Sequence, residues 1–230
     1  MGNYKTETNT MKKILIFIVL ACTMSVFGQV NEQKELSDFL PNGFVIFDKT
    51  FGDLNKDGNE DFVLIIKGTN KDNFVENQFN EKVDRNRRGI IILFKKNDHY
   101  EVAIKNYDCF ASENEDGGVY FSPEMSIEIS KGNLYVHYSH GRYGYWQYTF
   151  RYQNSDFELI GYDESNGGAV TDSETSINFL SKKKQTKVNT NENAEGGDEV
   201  FKETWDNIKV DRLVKLSEIK DFFELSMSKY

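Results

Sequence analysis

Residues 52–66 read GDLNKDGNEDFVLII, an acidic, glycine-containing turn that runs straight into five consecutive apolar residues. The second half decides the fold class. A short apolar run bounded by turn residues is the pattern of a strand covered on both faces, so residues 62–66 are expected at the centre of a sheet. The first half decides the chemistry. Asp53, Asn55, Asp57 and Asp61 recur at odd positions around Gly58. Calcium takes several oxygen ligands at about 2.3–2.6 Å, and a loop that alternates ligands with spacers bends so that each odd position points inward. Counted from Asp53, Gly58 permits a sharp turn at position six, Asn59 offers its backbone carbonyl at seven and Asp61 stands at nine. Position twelve, where an EF-hand carries Glu, is Leu64 inside the apolar run, which excludes the helix-flanked version. Calcium is the expected cofactor. The competing reading is a metal-free turn, because Asp, Asn and Gly favour turns unaided.

Outward from this stretch, the apolar segments stay short and strand-like. Upstream, residues 33–40 (QKELSDFL) have a helical look, stopped by Pro41-Asn42-Gly43, and residues 44–47 read as a short strand. Downstream, residues 68–88 are polar without sustained period and read as a surface excursion, with Arg85, Arg87 and Arg88 as a basic island that balances nearby acids. GIIILF (89–94) and HYEVAIK (99–105) flank KKND as a hairpin, with Val102 and Ile104 facing one way and Glu101, Ala103 and Lys105 the other. An acidic loop follows at 107–120, able to approach the first loop, where Glu113, Glu115 and Asp116 are further candidate cation donors beside the reading as a solvated charge run. Residues 125–130, 134–138, 145–152 and 157–162 alternate apolar with polar and make a meander, which needs only short connections. Residues 175–181 supply another strand, 182–198 read as a mobile polar segment, and 201–210 leave strand and helix open. Ser217 is a candidate N-cap for a closing helical turn. The expected fold is mainly β, antiparallel meander sheets with short N- and C-terminal helical segments, in one domain over residues 29–230.

Residues 11–28 (MKKILIFIVLACTMSVFG) have the basic start, apolar centre and small terminal residues of a signal peptide. Residues 1–28 are therefore assigned to an upstream extension and a leader, and the mature chain is expected to be exported: periplasmic, outer-membrane-associated or extracellular. A membrane enters only if Cys22 is lipidated. Removing 1–28 takes away Lys5, Lys12, Lys13 and Glu7, so the formal charge falls from −9 to −11. Such a field repels phosphate backbones and argues against nucleic acid as a partner. Cys109 then stands alone, a buried small residue or a free thiol.

The arrangement DxNxDGxxD followed by a strand resembles the calcium loop of FG-GAP and VCBS repeats, the kind found in integrin-type propeller blades. The resemblance covers residues 51–66 and implies Asp53, Asn55, Asp57, Asn59 and Asp61 as metal ligands. A propeller needs several such blades in tandem; this chain has one copy, so a complete propeller is not implied. More loosely, the chain looks like uncharacterised exported bacterial proteins that join one such loop to a later meander.

Catalytic signatures are thin. His99, His137 and His140 are the histidines, Cys109 has no local nucleophile signature, and the Ser139-His140 adjacency carries no triad geometry. The expectation is a non-enzymatic, calcium-stabilised exported domain whose partner is another protein, with neutralisation of a rival's toxin as one concrete form. The alternative is a carbohydrate-binding module or hydrolase using residues 143–148. Arg142, Tyr143, Tyr145 and Trp146 are the candidate binding residues, set against core packing of the same rings.

Overall fold

A computed structural model describes residues 35–116 and 122–230. The expectations for the leader and for Cys22, and those for residues 117–120 of the acidic loop, fall outside them. The first element is a 3-10 helix, Leu36–Phe39, after which Gly43 turns the chain at φ +82°. Strands β1 (Phe44–Gly52) and β2 (Asp61–Gly68) then pair antiparallel across the acidic loop. A small ribbon of β3 (Phe74–Glu76) and β4 (Lys82–Asp84) fills the connection to β5 (Arg88–Lys96), which forms a hairpin with β6 (His99–Phe110). The resulting four-stranded sheet has the order β1-β2-β5-β6.

The remaining strands are β7 (Glu124–Ser130), β8 (Asn133–Ser139), β9 (Gly144–Gln153), β10 (Asp156–Gly167), β11 (Thr171–Asn178), β12 (Lys183–Asn189) and β13 (Phe201–Asn207). Each pairs antiparallel with its sequence neighbours, giving a seven-stranded meander. Two of its turns show why the chain reverses there. Lys131-Gly132 and Asn154-Ser155 all have positive φ, the left-handed pair that a two-residue hairpin turn needs to match strand twist. Among the described residues no sheet closes into a barrel or propeller.

The expected central strand is borne out. Val63 and Ile65 join the main core with Ile90 and Ile92, and that core takes Leu134, Val136, Phe150, Phe157 and Leu159 from the seven-stranded sheet. Leu64 and Ile66 face the other way with Ile91 and Leu93, under Leu36, Phe39 and Leu40 of the N-terminal segment. One sheet is thus sandwiched between a second sheet and a strap.

Three details differ from the sequence reading. In β6 the register shifts, Ile92 opposing Ile104 while Leu93 opposes Val102. The extra residue on β6 reverses the facing, so Ile104 is buried while Val102 is 46% exposed. Within the polar segment 182–198, Lys183–Asn189 is strand β12, paired on both sides, because cross-strand pairing supplies what its composition does not. The closing 3-10 turn is Leu216–Glu218, with Lys215 at its N-cap and no side-chain cap; the Ser217 hydroxyl instead donates to Asp156 Oδ2.

Candidate functional site

The loop between β1 and β2 is organised by its own carboxylates. Asp53 accepts from the backbone N–H groups of Asp57 (3.1 Å) and Gly58 (3.0 Å). Asn55 Oδ1 accepts from Asp57 N–H, and Asp57 Oδ1 accepts from Asn59 N–H, both at 2.9 Å. Asn55 and Asn59 side-chain amides also donate to Asp57, and Lys96 Nζ lies 3.5 Å from its Oδ2. Gly58 makes the turn at φ +85° with open space where a side chain would stand. The bond from the Asn59 backbone leads the influences that hold the Asp57 carboxyl below its usual range.

Asp61 has a different situation. Fully buried, it accepts from Leu54 N–H (2.8 Å) and Asn55 N–H (3.3 Å) at one oxygen and from Lys95 N–H (3.0 Å) at the other. It therefore ties the loop to the start of β2 and to neighbouring β5. Burial pushes its carboxyl upward, against the pull of the N–H groups of Leu54, Lys95 and Asn55.

Among the described residues no group of three or more carboxylate, imidazole or thiol side chains converges to hold a metal. The donor chemistry nevertheless fits calcium in kind, all hard oxygens. Asp53 and Asn55 use one lone pair per oxygen in the bonds above, which leaves the others free. Asp61 is the candidate least open to an ion, because its oxygens face backbone donors inside the protein.

The second candidate group is not brought together. Trp146 and Tyr145 are neighbours on β9 and so face opposite sides of the sheet. Tyr145 stacks on His137 at 5.3 Å on the outer face, while Trp146 stacks on Tyr138 at 5.2 Å on the inner one. Arg142 and Tyr143 lie in the 3-10 turn Gly141–Tyr143, where the guanidinium donates to the Tyr143 hydroxyl at 2.8 Å. His140 Nε2 is a buried side-chain atom without a hydrogen-bond partner, and its ring centroid lies 5.9 Å from that of Trp146.

On the inner side Trp146, Tyr148, Tyr162, Glu164 and Lys184 line an open cleft of about 380 Å³ with Phe222 and the following C-terminal residues. The Tyr148 hydroxyl reaches only long bonds there, to the Phe222 and Leu225 carbonyls at 3.4 and 3.3 Å. Burial raises the phenols of both Tyr148 and Tyr162. Cys109 is fully buried, its thiol raised by burial. That matches the reading as a small packed residue.

At the far end of β2 lies a charge cluster whose membership the sequence did not disclose. Lys67, 6% exposed, pairs with Asp84 at 2.8 Å and with Glu113. Arg88, its cross-strand partner, donates to the Ala111 carbonyl at 2.8 Å and lies 3.9 Å from Glu113. The Phe47 ring lies 5.6 Å from Lys67 and 5.3 Å from Arg88. The acidic loop meets the basic island here, away from the β1–β2 loop: Arg85 pairs with Asp116, and Arg87 with Asp108 (2.7 Å) and Asp221 (2.9 Å). The available signal was the pairing of an acidic run with an Arg run of similar length. Compared with known proteins, the chain matches no family model, no curated protein and no solved structure.

Proposed function

We propose that the chain is an exported β-domain that binds another protein, with calcium as a clasp on the β1–β2 loop. The observation that carries the binding role is the outer face of the seven-stranded sheet. His137, Gln147, Asp163, Ser176, Gln185 and Trp205 stand side by side across β8 to β13 in one register row. At about 4.8 Å per strand, the row runs roughly 24 Å. All six are at least partly exposed, with the His137–Tyr145 stack at one end and Trp205 at the other. A row of hydrogen-bonding side chains bracketed by rings suits a protein surface.

The clasp reading rests on the similarity to FG-GAP and VCBS loops and on the lone pairs that Asp53 and Asn55 leave unused. Asp53 and Asn55, with the Asn59 carbonyl and with Asp57 once it exchanges its amide donors for the ion, would hold calcium, and Asp61 would anchor the loop behind them. Calcium would supply charge neutralisation and loop rigidity, and no reaction.

Neutralisation of a toxin encoded beside this gene is the concrete form of the binding role. It is tested by co-purifying the chain with the neighbouring gene's product and repeating the experiment with Gln147→Arg, a bulky charge in the middle of the row. Loss of the complex is expected. An intact complex would move the interface elsewhere, and a neighbour that neither harms cells nor binds would remove the neutraliser reading.

The inner cleft favours a second reading, carbohydrate binding, through the rings of Trp146, Tyr148 and Tyr162 beside Glu164. Glycoside hydrolysis uses a pair of carboxylates, and Glu164 is the one acid lining the cleft among the described residues, so binding is favoured over cleavage. Titration with oligosaccharides should then give heat that Trp146→Ala abolishes. Equal heats for both proteins, or none, would end this reading.

A further inference from the structure

The two large sheets present four edges, and three of them are touched by other described segments. Gly52 at the end of β1 packs so tightly on β7 that an added Cβ would sit 2.7 Å from the Ile129 side chain, so these two edges meet there. The β6 edge is met by the C-terminal segment, where Phe222 N–H donates to the Cys109 carbonyl and the Asn106 amide donates to the Leu216 and Ile219 carbonyls. Strand β13 is the exception. All seven of its residues are exposed, and no described strand pairs with its outer side.

The register fixes which backbone groups that edge offers. Ile208 N–H donates to the Lys182 carbonyl and Thr190 N–H to the Val200 carbonyl, so the even-numbered residues of β13 bond inward to β12. Alternation then turns the N–H and C=O groups of Phe201, Glu203, Trp205 and Asn207 outward. The preceding loop leans the other way, toward the β10–β11 turn, where Thr171 N–H donates to Glu199. The edge is open along its length.

We infer that β13 pairs with β13 of a second copy of this chain, antiparallel about a two-fold axis at Thr204. This register matches outward groups to outward groups, Glu203 with Trp205 and Phe201 with Asn207, in hydrogen-bonded pairs. It sets Lys202 against Asp206 twice, at the closer, non-hydrogen-bonded positions. It places the two Trp205 residues as diagonal neighbours about 7–8 Å apart on one face, within reach of each other's rings, each held by its indole N–H donating to Glu203. Charged residues on an exposed edge normally discourage pairing. Here they reject the register with its axis at Glu203, which would oppose Glu203 to itself, and they favour this one, the register that pairs Lys202 with Asp206. The partner is thus a second copy, and the product is a sheet continuous across the dimer.

The test is molar mass by light scattering, with sedimentation equilibrium for the dissociation constant. The wild-type protein is expected to move toward twice the monomer mass as concentration rises. Glu203→Pro removes an outward N–H without disturbing a bond to β12, a position where an edge strand tolerates proline, and should leave a folded monomer. Lys202→Asp places like charges across the axis and should weaken the dimer roughly tenfold or more. Combining it with Asp206→Lys should restore wild-type affinity, a recovery that misfolding could not produce. A wild-type monomer at every concentration overturns the proposal, as does a dimer indifferent to both Glu203→Pro and Lys202→Asp. Failure of the charge swap to restore association overturns the register and with it the axis at Thr204.

Discussion

Asp61 is the first residue of β2 and Lys67 the last but one, and both are buried in a strand whose intervening residues are apolar. They lie about 20 Å apart by strand rise and are compensated by different means. Asp61 is satisfied by backbone N–H groups from its own loop and from β5. Lys67 is satisfied by carboxylates delivered from β4 and from the loop after β6. The first solution is local and fixes one turn. The second draws in distant segments, and so it links the β3–β4 ribbon to the body of the sheet.

The two ends should respond to truncation unequally. Asp61→Ala strips three N–H groups of their acceptor, of which Leu54 N–H is buried and has no water to replace it. A loss of about 3 kcal/mol or more in urea unfolding is expected, from bonds to a charged acceptor and the penalty for buried donors left unmade. Asp61→Asn keeps one oxygen and removes a desolvated charge, so it should cost distinctly less. Equal costs for the two variants would show that the charge, and not the count of acceptors, holds the loop.

Lys67→Met should cost less than Asp61→Ala, about 2 kcal/mol. Breaking a buried pair is usually more damaging, but here the orphaned Asp84 and Glu113 side chains are 27% and 34% exposed and recover water. Adding Glu113→Gln to Lys67→Met should recover part of the loss, and the coupling in a double-mutant cycle measures the pair. Strict additivity would mean that the short contact contributes nothing in solution.

Acid should then separate the ends further. Burial pushes the Asp84 carboxyl up, but its bonds to Lys67 and Asn86 outweigh this and hold it below the ordinary 3.8. A depressed folded value stabilises the protein above the unfolded value, and that contribution is lost as pH falls through the folded one. For Lys67, burial lowers the ammonium while Asp84 and Glu113 together raise it above 10.5. Its contribution is therefore complete at neutral pH. Unfolding free energy should fall with acid below about pH 4, and Lys67→Met should flatten that fall; an unchanged slope would place the acid sensitivity elsewhere.

The same contrast explains what could be read from the chain. The apolar run 62–66 and the alternations of β7 to β10 are periodic signals within one strand, and each became the strand it indicated. Asp61 stood in a recognisable turn sequence, but its side chain faces backbone donors from β5, a contact the loop alone cannot show. The Lys67 cluster joins residues up to 46 positions apart, so only the folded sheet brings it into being. In β9 the candidate patch assumed that Tyr145 and Trp146 act together, although strand alternation sends them to opposite faces. Strands β12 and β13 were obscured for another reason: with little core to cover, their residues carry no clear apolar alternation, and pairing alone makes them strands.

The smallest effect without metal, and the sharpest discrimination, is expected at Asp57. Its side chain is exposed, so Asp57→Ala should change stability only slightly in chelator, because the loop hydrogen bonds it accepts compete with water. If calcium binds the native loop alone, saturating calcium must raise the melting temperature of the wild type, with stabilisation of about 2.7 kcal/mol at a hundredfold excess over the dissociation constant. Asp57→Ala should lose that shift. Asp61→Asn should start lower yet still gain from calcium, because in the proposed arrangement it anchors the loop and Asp53, Asn55 and Asp57 meet the ion. A calcium shift that survives in Asp57→Ala, or none in the wild type, would leave the loop as a self-bonded turn, and the two ends of β2 would then differ only in where their partners come from.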